Sequence, residues 1–132
     1  MYKGPQQYNP SDSELKKGDV CESMATFKVG FTQAITSLFT PESKQSVSVF
    51  RHGSLEVKMY APRKHDPQTP HTRDEVYLVA QGRGTYFHAG ERQPFEPGDF
   101  LFAAAGVEHH FEDFSDDFFV WVLFYGPEGG EK

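Results

Sequence analysis

The residues with the clearest chemical potential fall in two short stretches, Thr69-Pro-His71-Thr-Arg-Asp-Glu75 and Gly106-Val-Glu-His109. An imidazole and a carboxylate in one site can serve the same divalent ion, since both offer lone pairs that such ions accept. An extended strand would hold the backbones of His71 and Glu75 about 13 Å apart, at about 3.3 Å per residue, so short ligand bonds could not converge. The polar, turn-forming Thr72-Arg73-Asp74 between them predicts a sharp bend instead, with His71 at the end of one strand and Glu75 at the start of the next. His109 follows on a strand opened by Ala-Gly106-Val-Glu and is the third candidate. Two imidazoles and one carboxylate make a face that leaves coordination positions open.

Such a face needs a rigid frame, and the pattern around it is that of short strands. Val47 and Val49 alternate with serines, His52-Gly53 suits a hairpin turn, and Leu55, Val57 and Met59 alternate with Glu56, Lys58 and Tyr60. Residues 61–70 form a Pro-rich connection, and strands are expected over 75–80, 85–87, 100–103, 109–114 and 118–125. Turns are expected at Gly82-Arg-Gly84 and at His88-Ala-Gly-Glu91, and a tight corner at Pro97-Gly98. Phe31, Ala34, Ile35 and Leu38 mark one short helix with a single apolar stripe, while residues 1–24 read as a polar arm.

Composition supports an all-β domain: thirteen Phe, six Tyr and one Trp accompany twelve Gly and nine Pro. A chain of 132 residues holds one core. The net charge of −6, with no basic stripe, argues against a nucleic-acid binder that works by counterion release. Cys21 is the only cysteine, which excludes an internal disulfide and a Cys-x-x-Cys motif. The longest apolar run, residues 118–125, is far short of the roughly 20 residues a membrane helix needs. A polar N-terminus and a lone cysteine point to a cytoplasmic protein with no membrane partner.

At these residues the sequence resembles the cupin family. The family's first motif, G-x5-H-x-H-x3/4-E-x6-G, is matched by His71, Glu75 and Gly82, and its second, G-x5-P-x-G-x2-H-x3-N, by Gly106 and His109. Pro97-Gly98-Asp99 is similar to the corner that precedes the second motif. The resemblance covers about residues 47–126 and implies an antiparallel double-stranded β-helix, or jelly-roll barrel, preceded by an arm and helix in residues 1–46 and followed by a tail in residues 127–132. It also implies a divalent metal ion, Fe, Mn, Zn or Ni, at His71, Glu75 and His109. Three positions depart from the pattern: Thr69 stands where the first metal histidine is usual, Ala104 at the proline and Asp113 at the terminal asparagine. Gln68, His65, His52 or water could complete the ligand set. Gln68 is nearest, although its parity is wrong unless Pro67 and Pro70 twist the backbone.

The other polar residues have plainer readings. His110 points to the opposite face of its strand from His109, and His52, His65 and His88 are solvated turn residues. Tyr77 shares the parity of Glu75, as a core aromatic or a cavity wall. Asp74 and Arg73 are solvated turn charges, with Arg73 a possible clamp for an anion, and Gly82, Gly98 and Gly106 serve backbone geometry. The functional expectation is a metal-dependent enzyme, oxygenase-like, acting on a small anionic or enolisable molecule. The alternative is a cupin that binds a small molecule or metal without catalysis. Residues 118–125 are apolar on both faces, so a homodimer is expected, with the helix stripe or a second subunit covering the outer one.

Overall fold

The computed structural model describes residues 27–40 and 45–132; the expected arm over residues 1–24, with Cys21, lies outside the described residues. Eight strands and one helix follow in order: α1 (Phe31–Ser37), β1 (Ser46–His52), β2 (Leu55–Tyr60), β3 (Asp74–Gln81), β4 (Gly84–His88), β5 (Glu91–Phe95), β6 (Phe100–Ala103), β7 (His109–Glu112) and β8 (Phe119–Tyr125). They form two antiparallel sheets, ordered β1-β2-β8-β3-β6 and β5-β4-β7. This is the expected jelly-roll arrangement, as a sandwich whose two sheets are not joined by strand pairing among the described residues.

One aromatic core binds the sheets together. Tyr77, Ala103, Val120 and Val122 from the larger sheet pack with Tyr86, Phe95 and Phe111 from the smaller. Phe111 lies 4.9 Å from both Tyr77 and Phe118 in edge-to-face contacts, the geometry that ring quadrupoles favour. The outer face of the larger sheet carries a second cluster. There α1 lays Ala34 and Leu38 against Val49, Met59 and Phe119, and Phe31 meets Phe119 edge-on at 5.9 Å. The helix stripe therefore covers part of the outward apolar side of β8. Beyond its reach Leu78, Phe100 and Phe102 stay exposed at 39%, 63% and 41%.

Two differences from the sequence expectation have simple causes. No strand is expected from the sequence over residues 91–95, since Glu91, Arg92, Gln93 and Pro94 show no apolar alternation; the structure has strand β5 there, with all four exposed. It pairs only with β4, and an edge strand tolerates the missing N–H of Pro94. His71 does not end a strand; it lies in the irregular connection before β3 and is fixed there by a bond from the Gly106 N–H to its carbonyl, 2.7 Å.

Candidate metal centre

Three elements bring the candidate side chains together. Glu75 is the second residue of β3 and points into the sandwich; its side chain is 2% exposed. His109 opens β7 with its side chain 1% exposed, while His71 reaches in from the connection with a third of its surface open. One donor atom from each lies within 4.8 Å of the other two. Glu75 Oε1 stands 2.9 Å from His109 Nε2 and 3.7 Å from His71 Nε2.

These contacts do not behave as ordinary hydrogen bonds. The Nδ1 of His109 faces the Val107 carbonyl at 2.8 Å; a carbonyl can only accept, so Nδ1 carries the proton and a neutral ring presents a bare lone pair at Nε2. That lone pair faces a carboxylate oxygen, and both atoms are buried without a hydrogen-bond partner. Such orphaned atoms are costly in a folded protein unless something else occupies the space between them. A divalent cation fits. Donors bound at about 2.1 Å would stand about 3.0 Å apart at right angles and about 3.4 Å apart in a tetrahedron, close to the separations seen.

Without an ion between them, the two imidazoles differ in their electrostatics. Burial disfavours charge on His109, but the Glu75 carboxylate and the Val107 carbonyl outweigh it and hold its pKa above the usual imidazole value. His71 lies below that value, chiefly through burial, which leaves a neutral ring able to offer a lone pair. Burial also raises the hydroxyls of Tyr60 and Tyr77 well above the ordinary tyrosine range, so both remain donors.

Of the further residues named from the sequence, Gln68 joins the site and Thr69 does not. Gln68 Oε1 lies 3.0 Å from His71 Nε2, and it accepts a bond of 2.8 Å from the hydroxyl of fully buried Tyr77. Thr69 is exposed and absent from the cavity wall. His52 and His65 are also exposed and stay outside the centre, whereas His88 is half-buried at the end of β4. His110 faces outward, stacked on Phe87 at 4.6 Å and bonded to Glu112 at 2.8 Å. Asp113 does not continue the inward face of β7: it follows the strand, exposed and at φ +50°.

Asp74 and Arg73 are not the solvated charges expected. Asp74 is 5% exposed and its carboxylate accepts the N–H groups of Ala105 and Glu131, tying the C-terminal segment and the approach to β7 onto β3. Those two bonds hold its pKa below the usual carboxylate range. Arg73 donates to the carbonyls of Gly126 and Ser54 and is not among the residues that line the cavity beside the centre.

The cavity beside the centre has a volume of about 100 Å³ and is lined by Ser46, Lys58, Tyr60, Gln68, His71, Glu75, Val122 and Phe124. Lys58 and Tyr60 escaped sequence reasoning because alternation along β2 defines two faces without saying which is internal. Asp66 escaped as well. Its carboxylate accepts from the Tyr60 hydroxyl, from the Gln68 backbone and side-chain nitrogens at 3.2 and 2.6 Å, and from the Phe111 N–H at 2.8 Å. The one signal was Asp66-Pro67, since an aspartate before proline favours a side-chain-closed turn of this kind.

Comparison with known proteins agrees with this fold. Residues 57–125, which include His71, Glu75 and His109, match the family model for the cupin domain. An uncharacterized protein of Streptomyces coelicolor is 36% identical over 80 residues, 59% of this chain and 76% of that one. Among solved structures, a cupin-2 domain protein from Shewanella frigidimarina superposes with a TM-score of 0.60 at 16% identity, over 74% of this chain and 94% of that one. A cupin 2 conserved barrel domain protein from Salinispora arenicola gives 0.58 at 16% identity, over 80% and 91%. With its two motif stretches inside the matched segment and its sandwich shared with these structures, the chain belongs to the cupin family.

Proposed function

We propose that the protein is a metal-dependent enzyme, oxygenase-like, that acts on a small anionic or enolisable molecule. The observation that carries this reading is the pair of buried, unpartnered donors, Glu75 Oε1 and His109 Nε2, the first of them from a residue that lines a cavity together with His71. His71, Glu75 and His109 would hold one divalent ion, Fe, Mn, Zn or Ni. When bound, that ion supplies Lewis-acid or redox chemistry at positions the protein leaves open.

The chain's own residues define the guest. Lys58 is the only cationic side chain among those lining the cavity, and its ammonium is placed to pair with a carboxylate or enolate. Val122 and Phe124 form an apolar wall that excludes water from one side of the guest. The volume of about 100 Å³ is well below the roughly 300–1,000 Å³ of sites for drug-sized ligands, which selects a molecule of few heavy atoms. Tyr60 and Tyr77 spend their hydroxyl protons on Asp66 and Gln68, so they stiffen the wall.

The same proposal includes a homodimer. Leu78 pairs in register with Phe100 and Val76 with Phe102, giving an exposed apolar strip on the larger sheet that α1 does not reach. A second copy is its simplest cover. A cytoplasmic setting fits the lone Cys21.

The test is metal analysis of protein purified without oxygen, followed by oxygen-uptake measurements with small 2-oxo and 1,3-dicarbonyl acids. One divalent ion per chain and uptake with one class of acid are expected. Metal-free protein would remove the reading, and thermal stabilisation by an acid without turnover would favour the non-catalytic binding alternative.

A further inference from the structure

We infer that Gln68 supplies the fourth protein ligand of the metal centre through Oε1, and that Asp66 is the positioning residue that holds it there. This rests on the three-residue metal reading above and adds a donor from a position one residue before Thr69. The orientation of the Gln68 amide follows from its neighbours. An ionised carboxylate only accepts, so the 2.6 Å contact to Asp66 Oδ2 must come from the amide nitrogen of Gln68. The opposite end, Oε1, then faces His71 Nε2 at 3.0 Å and accepts from the Tyr77 hydroxyl at 2.8 Å. An amide oxygen has two lone pairs; Tyr77 takes one, and the other is left on the side of His71.

That remaining lone pair distinguishes a ligand from a bystander. If His71 offers its own Nε2 lone pair to an ion, no proton lies between Nε2 and Oε1, and two acceptors face each other at 3.0 Å. The same conflict exists between Glu75 Oε1 and His109 Nε2 at 2.9 Å. One cation among the four atoms resolves both. Two donors at about 2.1 Å from a common ion and at right angles stand about 3.0 Å apart, the separation that each pair shows. Asp66 makes the amide rigid: it also receives the Tyr60 hydroxyl and the Phe111 N–H of β7, so Gln68 is clamped between the strand of Tyr77 and the strand of His109.

Cobalt(II) is the probe. The metal-free protein, and its Gln68→Ala, Asp66→Asn and His71→Ala variants, are titrated with Co(II) by visible absorption. The Co(II)-loaded wild type, labelled with 15N-glutamine, is examined by NMR for a hyperfine-shifted side-chain amide that disappears in Gln68→Ala. Expected are a loss of affinity of about 100-fold or more in Gln68→Ala, a smaller loss in Asp66→Asn, and one strongly shifted amide. Wild-type affinity in Gln68→Ala, or no shifted glutamine amide in loaded wild type, overturns the assignment of Gln68. If His71→Ala loses Co(II) in either of those cases, the three-residue centre stands without it. Failure of wild type to bind Co(II) overturns both. Whether a glutamine side-chain amide is strongly shifted is read on loaded wild type alone, so a variant that misfolds still leaves a decision.

Discussion

Removing one imidazole at a time from the His109-His110 pair tests how β7 presents its side chains. Adjacent strand residues face opposite sides, and here His109 is buried beside Glu75 at the candidate metal centre while His110 stacks outside on Phe87. With a divalent ion at 100 times its dissociation constant, wild type should gain about 2.7 kcal/mol of stability. At about 4 °C per kcal/mol for a domain of this size, that is a rise in melting temperature of about 10 °C. Loss of a direct ligand should weaken binding at least as much as the upper end of the 10 to 100-fold typical of residues that merely orient ligands. His109→Ala at the same ion concentration then sits near its own dissociation constant, gains only about 0.4 kcal/mol and rises by about 1–2 °C. His110→Ala loses a surface pair with Glu112 and a ring stack, worth about 1 kcal/mol in the metal-free protein, but keeps the rise of about 10 °C. The assay is differential scanning calorimetry of each variant with and without ion. Comparing a variant with itself cancels any cavity left by the missing ring. Equal rises in the two variants, or a rise abolished only in His110→Ala, would refute the assignment of His109.

Three further outcomes are expected. Gly82 sits at φ +94° with the position of a Cβ 2.6 Å from Phe118 Cα and 2.9 Å from Ser115 Oγ, so Gly82→Ala should cost about 2–5 kcal/mol by urea denaturation; a cost below about 1 kcal/mol would show that the turn relaxes. Arg92 and then His110 hold Glu112 below the usual carboxylate range. Its contribution is therefore complete above the unfolded value of about 4.3 and is lost as pH falls through the lowered folded value; Glu112→Gln should flatten that limb of the stability curve, and an unchanged limb would count against it. Phe102→Lys places a charge in the exposed strip of the larger sheet and should convert a dimer to a folded monomer in light scattering, whereas a monomeric wild type would remove the proposed interface.

How far the sequence could be read depended on whether a side chain's role was set locally. The spacing of Glu75 to Gly82 and of Gly106 to His109 reflects local geometry: a strand leading into a tight turn, and a turn leading into a strand. Both are present as expected. Asp74 shows the opposite case. In sequence it is one charge in a polar triplet, and only the fold brings the N–H groups of Ala105 and Glu131, 31 and 57 positions away, onto its carboxylate. Lys58 and Tyr60 alternate with Val57 and Met59 as on any amphipathic strand. Here both faces of β2 are covered, the apolar one by α1 and the polar one by the cavity wall, so polarity did not mark the solvent side.

Gln68 and Thr69 mark the limit of period-two reasoning in this chain. Alternation separates His109 from His110 because β7 is a strand, whose pleat sends neighbours to opposite faces. Residues 61–73 make no regular strand: prolines at 62, 67 and 70 remove N–H donors and fix φ, and this part of the chain is held by side-chain bonds rather than by a ladder. Its parity is therefore set by Asp66, whose carboxylate closes a turn on the Gln68 N–H and draws the Gln68 amide inward while Thr69 is left exposed. A threonine at the usual histidine position thus need not leave the centre short of a donor. An irregular segment can present a neighbouring residue instead, provided a second side chain fixes its direction, and that is the part Asp66 plays here.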